Sequence, residues 1–270
     1  MGTTSVISKS KVSAKPEWRK LTSSDEQEMD LVETKGDTRI VSVGVILVGL
    51  FVILAIIPMS TFIGAGGVVS ALSFAVCITP LFGIILGSRR GLAYGAIAGI
   101  LGTLVLLPFG GGVFLFLPPT IVGPAISGLF TGLLFRKDTK FGPTLTAAYL
   151  VLIIVIFELF KFEAWWFMTP YMLAAILAFG LQVKTIEFRT GQTGFNRYLQ
   201  LIPFTFIGAM LDHSMMAMGS VFLLDLPPVG IGFTFELIFP LMVLERIVAT
   251  ILAAVVGYIV LEYFGDEIGL

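Results

Sequence analysis

One cysteine and one histidine are all that this 270-residue chain offers of the two residue types most used for covalent bridges and metals. Cys77, standing alone, excludes an internal disulfide and any multi-cysteine metal site, and it sits in an apolar run where burial is the default. His213, also alone, excludes a multi-histidine metal centre. Charge is scarce: 13% of residues are charged, and 17 Lys and Arg against 18 Asp and Glu leave a formal net charge of -1. Such a balance gives no basic face for nucleic acid and no electrostatic case for an acidic partner. Catalytic signatures are missing as well. There is no Gly-rich phosphate loop followed by Lys and Ser or Thr, so the chain does not itself hydrolyse ATP, and neither Gly-x-Ser-x-Gly nor His-Glu-x-x-His occurs. We expect no enzyme, no resident cofactor and no metal.

What the chain has is apolar sequence. Apolar residues make up 56% of positions and the mean hydropathy is +0.98, a balance foreign to soluble domains of this length. The expected fold is all-α: a polytopic transmembrane bundle of about eight spans with both termini cytoplasmic, in the cell membrane. Residues 1–39 read as a polar cytoplasmic tail, with one amphipathic turn around Trp18. Residues 40–262 form the transmembrane helical domain, and 263–270 a short cytoplasmic tail.

The eight apolar runs are Val41 to Ile57, Val68 to Leu86, 91 to 107, Phe114 to Phe135, Pro143 to Phe160, Trp165 to Val183, Tyr198 to Leu224, and Phe233 to Tyr258. A glycine-rich link follows the first run, and Pro80 is expected to kink the second. Pro118, Pro119 and Pro124 are expected to unwind the first half of the fourth. Lys and Arg collect on one side of this count, in the N-terminal tail, Arg89-Arg90, Arg136-Lys137-Lys140 and Lys184-Arg189-Arg197, whereas Lys161 is alone on the other. That asymmetry is the positive-inside pattern and supports eight crossings.

Small residues at four-residue spacing mark helix-packing faces: Ala71 and Ala75 in the second run, Gly91, Gly95 and Gly99 in the third, Gly128 and Gly132 in the fourth. They indicate close backbone approach and say nothing of a solute.

The ionisable groups inside the last two runs do. Asp212 and His213 fall near the middle of the seventh run, Glu245 and Arg246 near the middle of the eighth. Charges at that depth cost roughly 2.5–3.5 kcal/mol each on insertion scales, so they face the protein interior and find partners. Asp212 and Arg246 lie within about a turn of the midplane and are positioned to pair, while Glu245 is turned about 100° from Arg246. Two readings stand side by side: an ion pair that fixes helix register, or polar contacts lining a solute cavity. His213 beside Asp212 also admits a proton relay. Met210, Met215, Met216 and Met218 surround His213 in sequence, but steps of 100° scatter them around the helix, as packing residues rather than a Cu(I) site. Trp165 and Trp166 form an aromatic pair of the kind found at a headgroup boundary and are expected to wall the solute site.

The run from Thr79-Pro-Leu-Phe-Gly through Ser88-Arg89-Arg90-Gly91 to Gly102, together with Pro124-Ala-Ile-Ser-Gly-Leu-Phe-Thr-Gly before the next basic turn, resembles the substrate-binding S components of energy-coupling-factor transporters. The resemblance covers about the first half of the membrane region. It implies a subunit that captures a small vitamin-like solute without an ATPase of its own, works with a scaffold membrane subunit and a pair of cytoplasmic ATPases, and topples in the bilayer to release its cargo. In that family the scaffold grips an Ala-x-x-x-Ala pattern. A reading from a different class makes the chain a non-catalytic structural or accessory subunit of a larger assembly of membrane subunits, its buried charges serving only to fix register.

Overall fold

The structure is a computed structural model that describes residues 23–63, 69–109, 117–135, 140–183, 195–223 and 228–264. The turn expected at Trp18, the glycines 110–112, the basic positions Arg136, Lys137, Lys184 and Arg189, and residues 265–270 lie outside the described residues.

The helices are α1 (Ser23–Ile56), α2 (Thr79–Leu86), α3 (Ser88–Leu106), α4 (Leu117–Phe135), α5 (Gly142–Lys161), α6 (Thr169–Val183), α7 (Phe195–Leu223) and α8 (Pro228–Phe264). Among the described residues, five stretches are long and apolar enough to cross a bilayer: Thr38–Ile56, Pro118–Phe135, Gly142–Val183, Tyr198–Phe222 and Ile238–Tyr263. The protein is a helical membrane protein. The stretch Gly142–Val183 comprises α5 and α6, separated by the 3-10 turn Phe162–Met168, inside which Ala164 leaves helical geometry at φ -112° and ψ 29°.

The second expected span is not one long helix. Strand β1 (Pro58–Ile63) pairs antiparallel with β2 (Val69–Ser73), and a 3-10 turn, Phe74–Cys77, leads into the eight-residue α2. The two strands pair with each other, so this region folds back as a hairpin where the sequence suggests a link between spans; residues 64–68 lie outside the described residues. Ala71 therefore stands on β2 and Ala75 in the 3-10 turn, so their four-residue spacing makes no common helical face. Pro80 occupies the first turn of α2, where no backbone N–H is required, and starts the helix instead of kinking it.

The prolines of α4 likewise leave it wound. Helix α4 is continuous from Leu117, with Pro118 and Pro119 in its first turn and Pro124 inside it. Helix α1 also exceeds its expected length, beginning at Ser23 inside what reads as a polar tail.

Helix α2 sits at the centre. All eight of its residues are buried, as fits a segment that is apolar on every side, and it touches α1, α3, α4, α7 and α8. Gly87 ends it at φ 81°, a left-handed conformation open to glycine, and the chain reverses directly into α3. Arg89 and Arg90, at that reversal, are exposed.

Helices α3 and α4 pack most densely of all pairs, and the reason is visible atom by atom. A Cβ on Gly91 would stand 2.7 Å from the Gly128 carbonyl oxygen; Gly95 faces the Pro124 carbonyl, Gly99 the Ile121 carbonyl, and Gly132 the Ser88 amide. Only glycine lets the two backbones touch along this seam. The other side of α4 is fastened by hydroxyls. Thr131 Oγ1 donates to Ser127 O at 2.5 Å and to Pro80 O at 3.1 Å, and Ser127 Oγ donates to Gly208 O at 2.8 Å. Helix α4 is thereby tied to α2 and to α7, and α7 in turn packs on α8.

Candidate functional site

Three consecutive residues of α7 reach four different helices. Successive helical side chains diverge by about 100°, so a buried helix can address several neighbours from one turn. Asp212 faces α4 and α8: a Cβ on Gly123 would stand 2.8 Å from its Oδ1, and its Oδ2 is 4.0 Å from Arg246 Nη1. His213 faces α6, where the Tyr171 hydroxyl lies 2.5 Å from its Nδ1 and also donates to its carbonyl oxygen at 3.3 Å. Ser214 faces α5. Its Oγ donates to Leu211 O at 2.6 Å, so the Tyr149 hydroxyl, 2.9 Å away, supplies the proton of their contact.

Burial is deep throughout. Relative exposure is 9% for Asp212, 7% for His213, 3% for Glu245 and 1% for Arg246. Arg246 is the largest fully buried side chain among the described residues. Its Nη1 donates to Ala209 O at 3.4 Å and faces Asp212 at 4.0 Å, both at the long end of such contacts. Its Nε and Nη2 have no hydrogen-bond partner among the described residues. One turn further, Thr250 Oγ1 donates back to Arg246 O at 2.6 Å, and Thr205 of α7 donates to Thr250 O at 3.2 Å, joining the two helices beside the guanidinium. Ala249 packs against Val76 and Cys77 of the 3-10 turn, which brings that turn to the same face of α8.

The expected site residues thus fall into two groups. Asp212 and Arg246 meet, with Glu245 next in the chain and His213 turned toward α6. The tryptophans separate. Trp166 stacks edge-on against Phe239 at 5.1 Å and adjoins Phe167, whose ring is 6.3 Å from that of His213. Trp165 is 52% exposed and lines a surface groove with Glu158, Phe162 and Met172. Both carboxylate oxygens of Glu158 are shielded and lack a hydrogen-bond partner among the described residues.

Sequence reasoning missed Gly123, Tyr171, Tyr149 and Ser214. Tyrosines in apolar helices carried the signal, because a phenolic hydroxyl buried in a bundle needs a partner. Among the described residues no group of three or more His, Cys, Asp or Glu side chains converges to hold a metal ion.

In chemical terms the arrangement is a buried polar cluster with one cation whose Nε and Nη2 donors have no partner among the described residues, two acids, and two phenols. No protein-family description, no curated protein and no solved structure matches this chain.

Proposed function

We propose that this chain is the solute-binding membrane subunit of a transporter of energy-coupling-factor type. It lies in the cell membrane with about eight crossings and both termini in the cytoplasm, and it captures a small vitamin-like solute without an ATPase of its own. A scaffold membrane subunit and cytoplasmic ATPases complete the transporter. The observation that carries the reading is the buried Arg246, with two donor nitrogens unpartnered, among Asp212, His213 and Glu245. A cluster kept only for register is expected to satisfy its own hydrogen bonds, since buried donors left open cost stability.

Other observations favour the same reading. The glycine seam between α3 and α4 and the central α2 make a closely packed half, formed from the stretch that resembles the S components. Against it, α7 and α8 present the polar cluster. The basic turn at Arg89-Arg90 is exposed at one end of that half, where a cytoplasmic face is expected.

The test is gentle purification followed by mass spectrometry of what stays bound, together with uptake assays in cells. A retained small molecule and co-purifying ATPases support transport. A stoichiometric set of other membrane subunits, with no solute and no ATPase, would replace it with the accessory role.

A further inference from the structure

A guanidinium is planar, and its Nε and Nη2 lie on one edge with parallel N–H bonds, spaced to meet the two oxygens of a carboxylate. In Arg246 that edge is the open one: Nε and Nη2 lack hydrogen-bond partners among the described residues, while Nη1, on the far side, is occupied by Ala209 O and faces Asp212. We infer that Arg246 recognises the solute, and that the solute presents a carboxylate which docks two-pronged on the Nε and Nη2 edge. The inference rests on the solute-binding reading and names its substrate class.

The surroundings of the guanidinium agree. At 1% exposure it is shut off from water, so a carboxylate seated there forms charge-assisted bonds in a dry setting where they are strong. Along α8 the neighbouring turn carries Ala249 and Thr250, both short side chains. Asp212 Oδ2, at 4.0 Å, is too distant for a hydrogen bond and holds the guanidinium by charge alone. Asp212 therefore offsets part of the guanidinium charge from the Nη1 side without occupying the Nε and Nη2 edge, and it competes with an incoming carboxylate through charge. Glu245, on α8 itself, adds a second acid that disfavours any anion lacking the two-pronged fit.

The experiment uses the full chain in detergent micelles, titrated with benzoate and with benzamide, its neutral isostere, and follows melting temperature. Benzoate is expected to raise it and benzamide to leave it unchanged. Arg246→Lys, which keeps the charge and loses the edge, is expected to lose the benzoate shift. Asp212→Asn, which removes the competitor, is expected to enlarge it. Equal shifts from both probes, no benzoate shift in either the wild type or Asp212→Asn, or a shift retained in Arg246→Lys overturns the inference. If Arg246→Lys does not fold, the two probes on wild type and Asp212→Asn decide alone. The two readings fail separately: benzoate binding through Arg246 without uptake or ATPase partners removes the transporter and keeps the carboxylate site. Uptake of a solute with no carboxylate does the reverse.

Discussion

Gly123 of α4 lies directly against Asp212 of α7: a Cβ added there would stand 2.8 Å from Oδ1 and 2.9 Å from the Asp212 carbonyl oxygen. The missing methyl group gives the carboxylate its place in the bundle, next to Arg246. Gly123→Ala must push the carboxylate away or part α4 from α7, and overpacking of this kind costs about 1–3 kcal/mol. Gly49 and Gly180 have nothing within 4 Å of an added Cβ, so alanine there is expected to be neutral or stabilising by up to about 1 kcal/mol. Thermal melting in micelles compares the three. A Gly123→Ala protein that melts with Gly180→Ala shows that the contact carries no strain.

Breaking the Asp212 and Arg246 pair from one side removes a buried charge's counter-ion across the helix interface, leaving Arg246 with Glu245 alone or Asp212 without its arginine. Asp212→Asn or Arg246→Gln alone is expected to cost about 3–5 kcal/mol, whereas the double change costs less than the sum of the two. A full double-mutant cycle by equilibrium unfolding reads the coupling, and additivity would show that 4.0 Å is too far for the pair to matter. Uptake separates the two roles. If the cluster binds solute, a folded Asp212→Asn, Arg246→Gln protein transports nothing; if it only sets register, function survives.

How much of this was legible in the sequence depends on which interaction did the placing. The four-residue glycine spacing of α3 reports backbone approach, and the structure puts Gly91, Gly95 and Gly99 on the α4 backbone, because small-residue faces have few other uses in an apolar helix. The cost of ionisable groups at depth likewise places Asp212 near Arg246. Hydropathy alone cannot separate a long span from a hairpin joined to a short buried helix, so 68–86 reads as one run while β2, a 3-10 turn and α2 share it. The pairing of Tyr171 with His213 and of Gly123 with Asp212 joins residues distant in the chain, and no local spacing encodes either.

Tyr171 and Tyr149 both place a hydroxyl on α7, with unequal consequences. Tyr171→Phe takes away the hydroxyl 2.5 Å from His213 Nδ1 in a fully buried setting, and the stranded imidazole nitrogen costs about 1–3 kcal/mol. Tyr149→Phe leaves Ser214 still bonded to Leu211 O, so the loss is expected to be about 0.5–1.5 kcal/mol. Denaturant or thermal unfolding orders the two. A reversed order would mean that the Tyr171 contact is not formed in solution.

The crossing of α5 can be tested with cysteine labelling, because the native thiol is silent: Cys77 is 3% exposed within the core. Helix α5 has 20 residues, about 30 Å at 1.5 Å per residue, which equals the thickness of the hydrocarbon layer. Lys140 and Glu163 flank it, and both are exposed. With the N-terminus inside, a membrane-impermeant maleimide is expected to label Glu163→Cys in intact cells and Lys140→Cys only after lysis, leaving the wild type unlabelled in both. Labelling of both positions from outside would put the two ends of α5 on one face, and the orientation drawn from the basic turns would fall with it. Labelling in the opposite sense keeps the crossing and inverts the protein, which would place the exposed Arg89 and Arg90 against the positive-inside pattern.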